Sequence, residues 1–172
     1  MADEMPLAIK TLSPASRLAV RAAGDATAAL GDAFGLPLPQ DACRAGTNGS
    51  RSALWLGPDE WLLIAPEGEM PALGAWMADA LGGTPASIVE VSDRNIGIEV
   101  KGEKAAEAIN AFNPLDLHMD AFPVGICTRT VFGKAEIVLW RTAAETFRIE
   151  VWRSFAPYVL GCLEEAAREY RA

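Results

Sequence analysis

The first half of the chain predicts a strand, a helix, a hairpin and a second helix. Leu18 and Val20 share one face of a short strand at residues 17–22. An alanine-rich helix opens at Gly24 and runs to about Phe34, before a loop at residues 35–52 that is rich in Gly, Asn and Ser. The rest of this half is a hairpin of residues 53–56 and 61–65 around the turn Gly57-Pro58-Asp59-Glu60, a helix at residues 69–81 and a strand at residues 87–91.

The second half begins the same order again. Ile96, Ile98 and Val100 alternate with polar or small residues on a strand, and a helix from Gly102 ends near Phe112. Asn113-Pro114 stops that helix, and Ser154 is the predicted cap of the last one. The other elements are strands at residues 127–132 and 136–141 around Gly133-Lys134, a strand on which Phe147, Ile149 and Val151 alternate, and a last helix with the apolar stripe Phe155, Tyr158, Val159, Cys162, Leu163 and Ala166.

The two halves also match in sequence. Residues 18–34 align without a gap to residues 96–112, and residues 61–64 align to residues 147–150. The alternative is chance similarity between two alanine-rich strand–helix units. We interpret the match as a duplication and predict an N-terminal tail at residues 1–16, then one domain at residues 17–172 with pseudo-repeats at about 17–91 and 95–170. Hairpins mixed with helices favour an α+β fold of two ferredoxin-like (split β-α-β) halves.

Charge and the N-terminus exclude several classes of function. The net charge is −8, from 23 acidic and 15 basic residues. Nucleic acids and anionic membranes both favour basic partners, so neither is an expected partner. The first residues have neither the basic nor the apolar region of a signal peptide, and no apolar run is long enough to span a bilayer. We therefore expect a cytoplasmic protein, and three scattered cysteines predict no disulfide framework.

The residues offer little for catalysis, cofactors or metals. The single histidine, His118, lies in a loop between acidic residues, where a loop residue near the surface is favoured over a ligand. The Gly-rich segment 46–50 does not join a strand to a helix, as a phosphate loop does. Gly24 and Gly102 do lie between strand and helix, but an acid follows each and would repel an anion. We predict no catalytic, cofactor-binding or metal-binding residue in this chain.

Aromatic and arginine side chains are better candidates for a protein interface. Trp152 falls on the strand face of Arg148 and Glu150, opposite the apolar face, where it is either a packing plug or an interface anchor. Trp55, Trp61 and Trp140 lie in strands and are core residues by default. A second possible contact is the turn that leads into Trp61. The interface candidates are Trp152, Arg148, Arg153, Asp59, Trp61 and Arg94.

An ordered set of segments resembles the γ subunit family of heterotetrameric sarcosine oxidase. No segment is specific alone, but their order and spacing agree from about residue 17 to residue 167. The segments are Leu56-Gly57-Pro58-Asp59-Glu60-Trp61-Leu62-Leu63, Val91-Ser92-Asp93-Arg94, Cys127-Thr128-Arg129-Thr130 and Trp152-Arg153-Ser154-Phe155-Ala156-Pro157-Tyr158. The first ten or so residues and the loop around residues 43–50 match poorly.

The resemblance implies an accessory role. Such complexes join α, β, γ and δ subunits and oxidatively demethylate sarcosine to glycine, reducing oxygen to hydrogen peroxide and passing the one-carbon unit to tetrahydrofolate. The resemblance places FAD, FMN, NAD, tetrahydrofolate and zinc in the partner subunits, and gives the γ subunit a fold similar to the folate-binding domain of the glycine-cleavage T protein. Complexes for other N-methyl amino acids share such subunits. The alternative is a stand-alone folate-binding or aminomethyltransferase-type protein, with Asp59, Glu60 and Asp93 as candidates for its pocket.

Overall fold

A computed structural model describes residues 7–170 of the chain. In chain order the elements are β1 (Ala8–Thr11), β2 (Ala15–Arg21), α1 (Asp25–Phe34), β3 (Ala45–Asn48), β4 (Arg51–Gly57), β5 (Glu60–Pro66), α2 (Met70–Leu81), β6 (Ser87–Glu90), β7 (Asn95–Lys101), α3 (Ala105–Asn110), β8 (Cys127–Phe132), β9 (Ala135–Ala143), β10 (Thr146–Trp152) and α4 (Ala156–Ala167), followed by a short 3-10 helix, Arg168–Tyr170. They form two compact units: the first is residues 14–92, and the second is residues 93–170 with the N-terminal residues 7–13.

Within residues 7–170, each unit has one five-stranded antiparallel sheet and two α-helices. The strand order is β3-β4-β5-β2-β6 in the first unit and β1-β7-β10-β9-β8 in the second. Leaving out the edge strands β3 and β8, both sheets have the strand order of a split β-α-β fold. The strand before the first helix (β2 or β7) lies between the second strand of the hairpin (β5 or β10) and an edge strand (β6 or β1). The mixed α+β fold predicted from the sequence is confirmed.

The two units use the same elements in the same order, with one exchange. The strand–helix pair β2–α1 corresponds to β7–α3, and the hairpin β4–β5 to β9–β10. In the first unit, the edge strand beside β2 is β6. In the second unit, the corresponding edge strand beside β7 is β1, and its residues Ala8 to Thr11 pair with Lys101 to Ile98. The segment predicted as an N-terminal tail therefore contains a strand of the second unit, and the unit boundary falls between residues 92 and 93.

The separate cores explain the pattern of apolar positions. In the first unit, Leu18, Val20 and Trp61 are buried beneath α1 and α2. In the second unit, Ile98 and Phe147 are buried beneath α3 and α4. The sheet faces that carry these residues show the period of two expected for strands with one face in a core.

The last helix differs from its prediction in both start and rotation. Its N-cap position is occupied by Phe155, and no side chain caps it, so the predicted Ser154 cap is wrong. The buried stripe is Ala156, Val159, Leu163 and Ala167. Phe155 and Tyr158, predicted for the apolar stripe, are 40% and 37% exposed, because each lies one residue, or about 100° of helix rotation, before a buried position.

Asn113 ties the end of α3 to strand β8 and supplies a testable prediction. Its amide donates to the carbonyl of Val131 at 2.7 Å and to the hydroxyl of Thr130 at 3.3 Å, and its Oδ1 accepts the backbone N–H of Leu115 at 3.0 Å. Asn113 is 4% exposed. We expect Asn113→Ala to lower the free energy of unfolding by about 2 kcal/mol, because it leaves buried backbone groups without partners.

Urea denaturation of the full chain measures this cost. The matched control is Asn48→Ala, which removes one exposed hydrogen bond to the carbonyl of Gly35 and is expected to cost about 0.5 kcal/mol. Equal losses for the two variants would show that Asn113 does not hold this turn.

Candidate protein interface

The predicted interface residues of the first unit are engaged within the unit. Trp61 is 1% exposed, and its indole N–H donates to the carbonyl of Pro39 at 2.8 Å. Such a side chain has no surface to offer a partner. Asp59 is exposed in the β4–β5 turn, 3.6 Å from the guanidinium of Arg21, which also meets Glu60 at 2.7 Å. Exposed ion pairs of this kind contribute little stability. Both acidic residues of the turn, Asp59 and Glu60, nevertheless lie next to the same arginine.

Arg148 is half of an ion pair along strand β10. Its Nε and Nη2 donate to Glu150 Oε1 at 2.8 and 2.7 Å, and the two side chains are 18% and 1% exposed. The sequence pattern correctly separates these residues from the apolar face of the strand, but that polar face is not a solvated one. Arg148 therefore offers a partner far less surface than its place on a polar face suggested.

Trp152, Arg94 and Arg153 come together at the end of β10. The Trp152 side chain is 49% exposed, and the Arg94 guanidinium carbon lies 5.7 Å from the centre of its ring. Arg153 donates its backbone N–H to the carbonyl of Arg94 at 2.8 Å, while its side chain lies 3.4 Å from Asp93. Arg94 also donates to the side chain of Asn95 at 3.2 Å. Three of the six candidates are thus neighbours.

The start of α4 and the β8–β9 turn extend this cluster. A concavity of about 230 Å³ is lined by Lys134, Glu136, Trp152 and Phe155. Val131 is the cross-strand partner of Glu136, and the Tyr158 hydroxyl accepts the backbone N–H of Lys134 at 3.2 Å. We call this set the Trp152 surface; its members are Arg94, Val131, Lys134, Glu136, Trp152, Arg153, Phe155 and Tyr158.

Sequence reasoning found only part of the Trp152 surface. Phe155 and Tyr158 were assigned to the core of α4, and Lys134 was treated as turn chemistry alone. One signal was available: the apolar residues predicted for α4, Phe155 and Tyr158 among them, outnumber the positions that a single buried stripe can accommodate.

The remaining candidate residues for catalysis, metal binding or ligand binding do not form a site within the described residues. The His118 side chain is 72% exposed, with its Nδ1 3.5 Å from Asp120. Among residues 7–170 no group of His, Cys, Asp and Glu is arranged to hold a metal ion, and no helix is long and apolar enough to cross a membrane. A hollow of about 350 Å³ lies beside α1, and the ionisable residue of its lining is the acidic Asp32. This lining has no cationic side chain to bind a phosphate or a carboxylate. Asp93, a candidate for a folate pocket, is fully exposed.

Comparison with known proteins places the chain in a family. The sarcosine oxidase, gamma subunit family matches residues 19–169. The chain belongs to this family. It is 33% identical over 165 residues to the sarcosine oxidase subunit gamma of Corynebacterium sp. (strain P-1), covering 94% of this chain and 80% of the relative. The corresponding protein of an Arthrobacter species is 32% identical over the same length and coverage.

Solved structures agree with the family. One chain of the heterotetrameric sarcosine oxidase from Corynebacterium sp. U-96, in complex with pyrrole 2-carboxylate, superposes with a TM-score of 0.92 at 31% identity, covering 99% of this chain and 88% of that chain. The glycine cleavage system aminomethyltransferase T from Bartonella henselae superposes with a TM-score of 0.71 at 14% identity, covering 94% of this chain and 46% of that one. The second match shows a shared fold, as the resemblance implied.

Proposed function

We propose that this chain is the γ subunit of a cytoplasmic heterotetrameric sarcosine oxidase and that it contributes assembly rather than chemistry. The observation that carries the proposal is the match, over 99% of this chain, to a chain of a heterotetrameric sarcosine oxidase. The proposed partners are the α, β and δ subunits. In them we place the oxidative demethylation of sarcosine to glycine, with FAD, FMN, NAD, tetrahydrofolate and zinc.

The two hollows described above do not fit those cofactors. Their volumes, about 230 and 350 Å³, lie at or below the small end of ligand pockets, and a flavin or dinucleotide also needs a site for its phosphate. Asp25, the first residue of α1, opposes an anion at that helix start. Glu103 precedes α3, whose N-cap residue, Lys104, lies 2.7 Å from Glu107. No step of the reaction is therefore assigned to a residue of this chain.

The T-protein-like alternative has less support. The match to the aminomethyltransferase has 14% identity and covers 46% of that chain, so it supports a shared fold and not a shared function. The acidic residues proposed for its pocket form ion pairs with arginines instead: Asp59 and Glu60 pair with Arg21, and Asp93 pairs with Arg153.

Co-purification separates the two functions. A tag on this chain, co-expressed with the α, β and δ subunits of the same organism, is expected to recover a yellow complex that consumes oxygen with sarcosine. The chain expressed alone is expected to be colourless and without oxidase activity. Recovery of the tagged chain without the other subunits would refute the assembly role, and stoichiometric binding of tetrahydrofolate to the isolated chain would favour the T-protein-like alternative.

A further inference from the structure

Exposed apolar side chains are concentrated on the Trp152 surface. In the part of the chain that the structure describes, eight large hydrophobic side chains are exposed, and four of them belong to this surface: Val131, Trp152, Phe155 and Tyr158. They are 37–49% exposed. Single exposed apolar side chains are ordinary, whereas a cluster at one place marks an interaction site.

The charges of this surface are opposite to those of the chain as a whole. Lys134 lines the concavity, Arg94 lies over the Trp152 ring, and Arg153 is 62% exposed. Its acids are Glu136, a member of the surface that lies 3.9 Å from the Arg129 side chain, and the neighbouring Asp93, whose pair with Arg153 is too exposed to neutralise the arginine strongly. A cationic, aromatic surface on a chain of net charge −8 is complementary to an acidic partner segment.

Contacts within the chain position several side chains of this surface. The Arg94 guanidinium lies against the Trp152 ring, and the backbone hydrogen bond from Arg153 to Arg94 joins the ends of β10 and β7. At the β8–β9 turn, Gly133 has a φ of +56°, and a Cβ there would collide with the Tyr158 hydroxyl. Glycine thus lets Tyr158 approach the turn and bond to Lys134. Preorganisation of this kind lowers the cost of binding.

We propose that the Trp152 surface docks an acidic segment of another subunit of the sarcosine oxidase, and that this segment places one apolar side chain in the concavity between Lys134, Glu136, Trp152 and Phe155. This inference rests on the proposed function. The concavity of about 230 Å³ suits a single side chain rather than a cofactor. Trp152 and Tyr158 are of the residue types that dominate interface energies, and acids of the partner meet Arg94, Lys134 and Arg153 at the rim.

Two exposed tryptophans provide a matched test. Trp152 is 49% exposed with an arginine 5.7 Å from its ring, and Trp76 on α2 is 50% exposed with Arg51 at 5.9 Å. We expect Trp152→Ala to weaken capture of the chain by the tagged α, β and δ subunits by about 30-fold or more. Trp76→Ala is expected to change it by less than about threefold. Lys134→Glu is expected to weaken capture and to make it less sensitive to salt, since a cation at the rim is lost.

A second measurement covers the case in which a large interface tolerates the loss of one side chain. Oxidative footprinting of the unaltered protein compares Trp152 in the isolated chain and in the assembled complex, where we expect Trp152 to become protected. Melting of the isolated variants checks that all three remain folded.

Three outcomes would overturn the inference. One is normal capture of Trp152→Ala together with an unprotected Trp152 in the complex. Another is equal loss of capture for Trp152→Ala and Trp76→Ala. The third is a self-associating isolated chain whose dimer is abolished by Trp152→Ala, which would assign the surface to a second copy. Failure of the unaltered chain to assemble would instead refute the proposed function itself.

Discussion

Trp61→Ala is expected to lower the free energy of unfolding by about 3–5 kcal/mol. Trp61 is the largest fully buried side chain of the first unit, at 1% exposure, and it contacts the core formed by β2, β5, α1 and α2. Its removal leaves a cavity in that core and leaves the carbonyl of Pro39 without the indole N–H, 2.8 Å away. Urea denaturation of the isolated chain, followed by circular dichroism, measures the loss.

Two further variants separate the causes. Trp61→Phe keeps an aromatic ring but loses the indole donor and is expected to cost about 1–2 kcal/mol. Trp76→Ala removes a tryptophan that is 50% exposed and is expected to cost at most about 1 kcal/mol. A small loss for Trp61→Ala together with weakened assembly would restore Trp61 as an interface residue and contradict the burial argument.

Local chemistry was sufficient to predict most of the fold. The turn Gly57-Pro58-Asp59-Glu60 predicted the hairpin β4–β5, and Asn113-Pro114 predicted the end of α3. Strand β3 was missed because Ala45-Gly46-Thr47-Asn48 has no apolar alternation; it is an edge strand that pairs with β4 alone. Strand β1 was missed because its partner, β7, lies about ninety residues further along the chain, a pairing that no local pattern reveals.

The candidate site was less predictable because exposure depends on tertiary packing. The period of two correctly separated Trp152 from Val151 on β10. The period of two did not predict that Glu150, two residues before Trp152 on the same strand face, is only 2% exposed. On α4 the apolar residues outnumber the positions that one core stripe can bury, so the sequence could not decide which aromatic residues point outwards. That choice follows from the rotation of the helix against the sheet.

Phe147 is the residue of the second unit that corresponds to Trp61, and Phe147→Ala is expected to cost about 3–5 kcal/mol. The ring is fully buried and stacks with Phe122 at a centroid distance of 6.4 Å. It also faces the guanidinium carbon of Arg141, 4.5 Å from its centre. The cost should therefore contain a packing component and a component from the interaction of the cation with the ring.

Arg141 makes the second component measurable. Arg141 is 4% exposed, donates to the carbonyl of Phe122 at 2.6 Å, and has no hydrogen-bond partner for its Nε within the described residues. Burial lowers the pKa of Arg141, but from an ordinary value so high that the group stays charged at neutral pH. A buried cation with so few polar contacts depends on the faces of aromatic rings, which attract it more strongly when water is excluded.

A double-mutant cycle of Arg141→Met and Phe147→Leu isolates that attraction. Both replacements keep much of the apolar volume, so packing losses cancel in the cycle and the coupling energy reports the interaction of the guanidinium with the ring. We expect a coupling of about 1–2 kcal/mol, because the pair is desolvated. The measurement is the free energy of unfolding of the four proteins in urea. A coupling near zero would show that Phe147 stabilises the second unit by packing alone.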